Sequence, residues 1–304
     1  MANNFNAWLS AFRPKTLLLA VANTLVGSAV ALLDGGFRLS VFLLAAATTL
    51  LLQILGNLAN DYGDFVNGKD TAQRIGPKRM VQTGKISERQ MFKAIVVAGI
   101  LCFLSGAALV FVSVGWDFAK IVFFGFLGLA AIAAAVKYTV GKKPYGYRGL
   151  GDIFVFVFFG LVGVGGTYFL HTLAFRADVL LPAAAVGLLS VGALNMNNMR
   201  DFTTDSQSGK RTLVVIFGQR WAKFYHLFLV AAAIICTTAF TLLNYKSAWQ
   251  WLWLVCLPPL AINFYKVFTF NDNAELYPEL PRISLATLLL AAGFLAGMIF
   301  PHFY

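Results

Sequence analysis

The chain has 304 residues, of which 59% are hydrophobic and only 12% are charged, and its mean hydropathy is +0.73. This composition excludes a soluble globular domain and is typical of a protein that crosses a membrane many times. The formal net charge of +11 is common in nucleic-acid-binding proteins. Here the basic residues lie in short segments between apolar runs, so we expect no nucleic-acid partner.

Nine apolar runs are close to the roughly 20 residues that a helix needs to cross a bilayer. The runs follow one another along the chain at about 16–34, 41–60, 91–113, 118–136, 152–172, 179–199, 222–243, 249–268 and 284–301. They lack a sustained alternation of apolar and polar residues, which favours helices over a membrane barrel. No linker separates them. The sequence therefore predicts an all-α membrane protein with about nine transmembrane helices in a single domain, residues 1–304.

The basic residues are distributed unequally between the two ends of these helices. If the N-terminus and the even-numbered loops share one side, that side holds 20 of the 24 lysines and arginines, and only Arg38, Lys120, Arg176 and Lys246 lie on the other. This asymmetry is the positive-inside pattern. It predicts an N-terminus and long loops in the cytoplasm.

The first polar cluster ends the second apolar run and reads "NLANDYGDFVNGKD" at residues 57–70. On a helix, residues three and four positions apart share a face. Asn57 therefore projects with Asp61, and Asn60 with Asp64. Asp70 follows Asp64 by six residues, so we expect it on a loop rather than on the same face.

The second polar cluster, "NMNNMRDFTTD" at residues 195–205, ends the sixth apolar run. Asn197, Asp201 and Asp205 are four residues apart and predict one helical stripe. Each cluster reads Asn-x-x-x-Asp followed by a further Asp. The parallel predicts two pseudo-symmetric helix bundles around a central cavity, with capping loops on the cytoplasmic side.

Two carboxylate stripes facing each other would repel strongly unless cations lay between them. Oxygen ligands without nearby His or Cys favour Mg²⁺, whose coordination is usually completed by water and substrate phosphates. Basic side chains around the clusters suit a polyphosphate; they include Arg74, Lys78, Arg79, Lys142, Lys210 and Arg211. The pattern indicates a diphosphate at the membrane surface with an apolar remainder between the helices, as in a polyprenyl diphosphate. Alternatively, the aspartates are solvated or pair with these basic residues.

Three segments carry a resemblance to a known family: "NLANDYGDFVNGKD…RIGPKR", "KYTVGKKPYGYRGLGD" and "NNMRDFTTDSQSGKRTLVVIFG". They resemble the signature segments of the UbiA superfamily of intramembrane prenyltransferases, and most closely its naphthoate branch in menaquinone biosynthesis. The resemblance implies a bacterial cytoplasmic (inner) membrane enzyme surrounded by lipid. It would join a polyprenyl diphosphate to 1,4-dihydroxy-2-naphthoate and release CO₂ and diphosphate, giving a demethylmenaquinone.

The resemblance also implies roles for individual residues. Asp64, Asp201, Tyr138 and Lys142 would be catalytic, with Tyr138 beside the reacting carbon. The residues expected to hold Mg²⁺ are Asn60, Asp61, Asp64, Asp70, Asp201 and Asp205. Those expected to contact the diphosphate are Arg74, Lys78, Arg79, Lys142, Asn197, Lys210 and Arg211. Asn57, Asp152 and Asn198 would support them.

Two alternatives remain open at this point. One is a different acceptor for the same chemistry, such as 4-hydroxybenzoate, homogentisate or haem. The other is an ion-coupled transporter, since acidic residues within a membrane often mark ion paths. The acidic residues of the two clusters end apolar runs at one membrane face instead of lying at the centre of a run, which favours the enzyme.

Overall fold

The structure is a computed structural model that describes residues 2–69 and 75–300, and within these ranges it contains helices and no β-strand. The α-helices are α1 (Ala2–Phe12), α2 (Pro14–Leu33), α3 (Leu39–Val66), α4 (Glu88–Val114), α5 (Phe118–Lys137), α6 (Gly151–Val155), α7 (Thr167–Thr172), α8 (Leu180–Arg200), α9 (Phe202–Gln207), α10 (Leu213–Leu243), α11 (Leu257–Thr269) and α12 (Glu279–Ile299). Short 3₁₀-helices cover Tyr145–Arg148, Ala177–Val179, Ala248–Cys256 and Asn273–Leu276, and a π-helix covers Phe156–Gly166.

Nine helical segments of the described chain are long and apolar enough to cross a membrane. They are Pro14–Leu33, Leu39–Val66, Glu88–Val114, Phe118–Lys137, Gly151–Thr172, Ala177–Arg200, Leu213–Leu243, Ala248–Thr269 and Asn273–Ile299. The prediction of an all-α membrane protein with nine spans is confirmed.

Two helix ends differ from the apolar runs in ways that shape the site. α3 continues past the predicted end at residue 60 to Val66, so Asp61 and Asp64 lie on helical turns. α10 begins at Leu213, well before the predicted residue 222, because a short first turn joins the long helix across a kink at Gly218 (φ 85°, ψ 164°). Only glycine adopts this backbone conformation without strain.

The fifth span changes its helical geometry part-way along. α6 passes directly into the π-helix Phe156–Gly166 and then into α7. This segment is rich in glycine, and a Cβ atom at Gly160 would lie 2.6 Å from the carbonyl oxygen of Ala183. The absence of side chains at Gly160 and Gly187 therefore lets this span pack closely against α8.

The spans pack around α8. In the span that contains α8, 72% of the most apolar 18-residue stretch is buried, whereas in α5 only 6% of the corresponding stretch is buried. α8 packs against α10, α12 and the π-helix, while α3, α4 and α5 pack together. α2 contacts both α3 and α12, so the first and last spans meet and close the arrangement. The hydrophobic core around α8 is larger than the one around α3 and α4, and pseudo-symmetry of the halves stays a prediction.

Candidate functional site

Residues of the two polar clusters lie at the same end of the helices, which we call the motif face. The other end, with residues 34–38, 173–179 and 244–247, is the opposite face. α3 and α8 both run toward the motif face, and an ion pair there joins Asp64, in the last turn of α3, to Lys210, which follows α9. The structure thus brings together two sequence segments more than a hundred residues apart.

Asp64 has more side-chain partners than Asp61, the other described acidic residue of the first cluster. Its side chain is only 2% exposed and pairs with the guanidinium of Arg79. It also accepts a hydrogen bond from the Tyr147 hydroxyl at 2.7 Å, and Lys210 Nζ lies 3.0 Å from its Oδ1. Removing such a carboxylate from water is costly unless cations and donors surround it. The sequence supplies these partners from three separate segments.

Asp61 plays a different part from Asp64, although the two are three residues apart. Its carboxylate accepts hydrogen bonds from the backbone N–H groups of Met80 (2.9 Å) and Val81 (3.2 Å). These bonds fix the segment after the "RIGP" sequence against α3 and hold Arg79 beside Asp64. The structure gives Asp61 this anchoring contact, and its expected metal role stays a prediction.

The second cluster is interrupted where α8 ends at Arg200. Asp201 (φ −89°, ψ 6°) lies between α8 and α9. The helical hydrogen bonding nevertheless continues, from Asp201 N to Asn197 O at 3.0 Å and from Asp205 N to Asp201 O at 2.8 Å. The predicted single stripe is therefore broken into two helices, but its spacing is kept.

Arg200 holds Asp201 in place. Its guanidinium donates from Nε and Nη2 to the two carboxylate oxygens of Asp201, both at 2.8 Å. Nη2 also donates to Asn197 Oδ1 at 2.7 Å. Arg200 is only 1% exposed. Arg200 was not predicted as a site residue, because an arginine at the end of a span is ordinarily explained by membrane orientation.

Lys210 connects the two clusters. Its ammonium lies 3.0 Å from Asp64 Oδ1 and 3.6 Å from Asp205 Oδ1, and its side chain is 10% exposed. The same ammonium lies 5.1 Å from the centre of the Tyr147 ring. Tyr147 lies in the motif "YGYRGLGD" and was not predicted as a site residue.

The segment after α5 approaches α3 very closely at Gly63. A Cβ atom at this position would lie 2.7 Å from the backbone of Thr139. The close contact lets the Thr139 hydroxyl donate to Ala59 O at 2.9 Å and to Asn60 Oδ1 at 3.2 Å. Asn57 instead donates to Thr16 Oγ1 and to Phe12 O, which fixes the start of α2.

Tyr138 follows α5 and lies beside the second and third motifs. Its ring makes a T-shaped contact with Tyr145 at 5.3 Å, and its hydroxyl lies against Gly151. Burial raises the pKa of Tyr138, and the nearby negative charges of Asp152 and Asp64 raise it further. Tyr138 is therefore a neutral phenol at physiological pH. Asp152 itself accepts from the Tyr225 hydroxyl at 3.2 Å, away from the cavity lining.

Several predicted residues lie outside this arrangement. Asp70 and Arg74 fall outside the described residues. Lys78, Lys142 and Arg211 are exposed. Lys142 lines a separate pocket of about 240 Å³ with Tyr62 and Val66. The described structure does not bring these three basic residues to the two clusters.

A cavity of about 780 Å³ extends from the clusters into the membrane region. Its polar end includes Asn60, Asp64, Arg79, Tyr138, Tyr147, Asn197, Asn198, Asp201, Asp205 and Lys210. Its remainder is lined mainly by apolar and glycine residues of α4, α5 and the π-helix, and reaches Trp116 near the opposite face. The cavity is also lined by Arg13, Thr16 and Gln53, which were not predicted as site residues. Arg13, directly before Pro14, has a left-handed backbone (φ 51°).

The sequence profile of the UbiA prenyltransferase family matches residues 20–276 of this chain. The chain belongs to this family. The match covers both clusters and the segment between them, including the π-helix. The UbiA resemblance expected from the three motifs is confirmed.

Similarity to individual members of the UbiA family is more specific than the match to the family profile. The chain is 44% identical to the 1,4-dihydroxy-2-naphthoate octaprenyltransferase of Escherichia coli (strain K12) over 96% of this chain and 94% of the relative. It is 42% identical to the Haemophilus influenzae protein of the same name over 96% of this chain and 95% of the relative.

A solved UbiA homolog supports the fold. The Archaeoglobus fulgidus protein, bound to DMAPP and Mg²⁺, superimposes with a TM-score of 0.65 over 96% of this chain and 98% of that one. Their sequences are 16% identical. At that identity the comparison shows that the two chains share the arrangement of helices.

The types of ligand atom at the polar end of the cavity suit Mg²⁺. Asn60, Asp64, Asn197, Asp201 and Asp205 line the cavity and carry carboxylate or amide oxygen atoms, the ligands that Mg²⁺ prefers. In residues 2–69 and 75–300, no three His, Cys, Asp or Glu side chains converge closely enough to bind a metal as they stand. Arg79, Arg200 and Lys210 instead hold the carboxylates.

Proposed function

We propose that this protein transfers a polyprenyl group from a polyprenyl diphosphate to 1,4-dihydroxy-2-naphthoate. The reaction releases diphosphate and CO₂ and gives a demethylmenaquinol; the demethylmenaquinone expected from the resemblance would form only after a separate two-electron oxidation. One observation carries the proposal: both carboxylate clusters and Lys210 meet at the polar end of an otherwise largely apolar cavity of about 780 Å³. The names of the two bacterial relatives support the naphthoate acceptor and an octaprenyl donor.

The polar end suits the diphosphate part of the donor. Arg79 and Lys210 are nearly buried, and a charge-assisted hydrogen bond to a phosphate oxygen is strong in such surroundings. Asn60, Asp64, Asp201 and Asp205, with Asn197, would hold Mg²⁺, which supplies charge neutralisation to the departing diphosphate. DMAPP and Mg²⁺ in the Archaeoglobus homolog are consistent with this assignment.

The remainder of the cavity suits the prenyl chain. It runs from the carboxylates between α4, α5 and the π-helix, where Phe103, Phe154, Phe158 and several glycines line it. An apolar chain gains free energy by leaving water for such a surface. The walls also keep water from the allylic cation that forms when the carbon–oxygen bond breaks.

Tyr138 lies where the polar and apolar parts of the cavity meet. Its neutral phenol cannot act as a base at physiological pH, because its pKa is raised by burial. An aromatic face beside a developing cation stabilises it, since the ring quadrupole attracts positive charge. We assign this role to Tyr138. The electron-rich ring of the naphthoate then attacks the cation, and loss of the carboxylate as CO₂ leaves the aromatic ring of the demethylmenaquinol.

We infer that the motif face lies in the cytoplasm of a bacterial cell. The support is the concentration of lysine and arginine in the segments at that end of the helices. Labelling of single cysteines introduced at Lys143 and Lys246 with an impermeant reagent tests this. Lys246 labelled in intact cells and Lys143 only after lysis is the expected result, and the reverse pattern would overturn the orientation.

The test of the activity is incorporation of radiolabelled octaprenyl diphosphate into 1,4-dihydroxy-2-naphthoate by purified protein in lipid. Labelled product that requires Mg²⁺ and is lost in Asp64→Asn and Asp201→Asn is the expected result. Prenylation of 4-hydroxybenzoate instead would keep the family chemistry and overturn the acceptor. Product from none of the aromatic acceptors would overturn the proposed reaction.

A further inference from the structure

We propose that Lys210 is a built-in counter-cation: together with Arg79, it balances the charges of Asp64 and Asp205 until a divalent cation displaces its ammonium. The inference rests on the proposed function only in requiring that this site binds Mg²⁺ together with a diphosphate. It assigns Lys210 two successive partners. The first is the carboxylate pair, and the second is the diphosphate that arrives with the metal.

The geometry places Lys210 between two carboxylates that belong to different helices. Its Nζ lies 3.0 Å from Asp64 Oδ1 and 3.6 Å from Asp205 Oδ1. Asp64 lies in the last turn of α3, and Asp205 lies on α9. At these distances and with so little exposure, each carboxylate attracts the ammonium strongly. The lysine occupies a position between oxygen atoms of the kind that Mg²⁺ would also use.

The neighbouring cations have more local partners. Arg200 is adjacent to Asp201 in sequence and bonds to both of its oxygens. Arg79 pairs with Asp64 and is held there by the backbone bonds of Met80 and Val81 to Asp61. Lys210 is the basic residue whose ion pairs join the first cluster to the second among the described residues.

The backbone of Lys210 is fixed while its side chain is able to move. Lys210 N donates to Asp205 O at 2.9 Å, and Arg211 N donates to Tyr147 O at 2.9 Å. A lysine side chain has a flexible four-carbon stem with a compact charge at its end. Its ammonium can therefore leave the carboxylates by rotation within the side chain, without movement of α9 or α10.

A divalent cation held by Asp64 and Asp205 would compete with this ammonium for their carboxylates, and the two positive charges would repel. Mg²⁺ alone should therefore bind weakly. A diphosphate removes the conflict, because it supplies negative charge to both cations and gives Lys210 a new partner. Metal and diphosphate binding are thus coupled through Lys210, and such coupling is reciprocal.

The test is a calorimetric titration of the purified protein in lipid nanodiscs. Mg²⁺ is added alone, and inorganic diphosphate is then added at saturating Mg²⁺. In Lys210→Met, we expect Mg²⁺ alone to bind about tenfold more tightly and diphosphate to bind at least about tenfold more weakly. Lys143→Met removes an exposed lysine of the same face and should change neither affinity.

The opposite signs of the two effects make the inference falsifiable. A purely structural lysine would weaken both affinities, and a lysine that contacts only diphosphate would leave Mg²⁺ binding unchanged; either result overturns the proposal. Lys210→Gln keeps a hydrogen-bonding group between the carboxylates and should show the same signs if Lys210→Met does not fold. These titrations use neither prenyl donor nor acceptor, so a failure of the proposed reaction would be seen separately.

Discussion

Charged networks join distant segments at both faces of the protein, and they differ in burial. At the opposite face, Arg176 bridges Asp34, Asp178 and Asn244, and the charged side chains are 24–30% exposed. At the motif face, the side chains around Asp64 are 2–10% exposed and line the cavity. Exposed pairs contribute little to stability, whereas burying charges is costly. The motif-face network therefore requires a reason other than stability, and ligand binding supplies it.

The largest difference between the faces should appear when one carboxylate of each network is neutralised. Asp64→Asn removes the negative charge that Arg79 and Lys210 share and one of the two acceptor oxygens, and we expect the prenylation rate to fall at least about 100-fold. Asp34→Asn at the opposite face should keep the rate within about twofold, as distant surface changes usually do. Initial rates with labelled donor measure both. Comparable losses in the two variants would contradict the assignment of the site to the motif face.

Close backbone packing provides the next comparison. Gly63→Ala places a Cβ atom 2.7 Å from the backbone of Thr139, whereas Gly36→Ala places one 2.8 Å from the side-chain methyl of Thr172. A backbone segment moves less easily than a methyl group, so Gly63→Ala should cost about 1–3 kcal/mol of unfolding free energy and Gly36→Ala less. Unfolding in mixed micelles measures both changes. Equal costs would show that the segment after α5 can shift away from α3.

Two tyrosine hydroxyls form a matched pair across the molecule. Tyr147 donates to Asp64 at 2.7 Å, and Tyr168 donates to Asp34 at 2.8 Å. Each removal costs one hydrogen bond to a carboxylate, worth about 1.5–3 kcal/mol. In Tyr147→Phe we expect this cost to lower the reaction rate about tenfold, because the bond orients a group that acts on substrate. Tyr168→Phe should lower stability only. An unchanged prenylation rate in Tyr147→Phe would show that the Tyr147 hydroxyl does not contribute to the reaction.

Composition and periodicity predicted the nine spans because membrane helices need long apolar segments and little else. The positions of Asp64, Asp201 and Asp205 at one face followed from their spacing after those segments. Three features were not predictable in this way. Asp61 and Asp64 look equivalent on a helical wheel, yet Asp61 bonds to the backbone of Met80 and Val81, which is a tertiary contact. Arg200 was not predicted as a site residue, because basic residues at the ends of spans are ordinarily explained by membrane orientation. The kink at Gly218 leaves no periodic signal.

The smallest effect is expected for Arg176→Gln, which breaks the opposite-face network at its centre. Its bonds to Asp34 and Asp178 are partly exposed, so the loss of unfolding free energy should stay below about 1–2 kcal/mol and shrink in high salt. The prenylation rate should not change, because Arg176 does not line the cavity. The free energy of unfolding at 0.05 and 0.5 M NaCl (about a threefold change in screening length) measures the effect on stability. Initial rates of prenylation measure the effect on the reaction. A slower reaction at unchanged stability would mean that the opposite face influences the cavity through α2 and α8, the helices that connect the two networks.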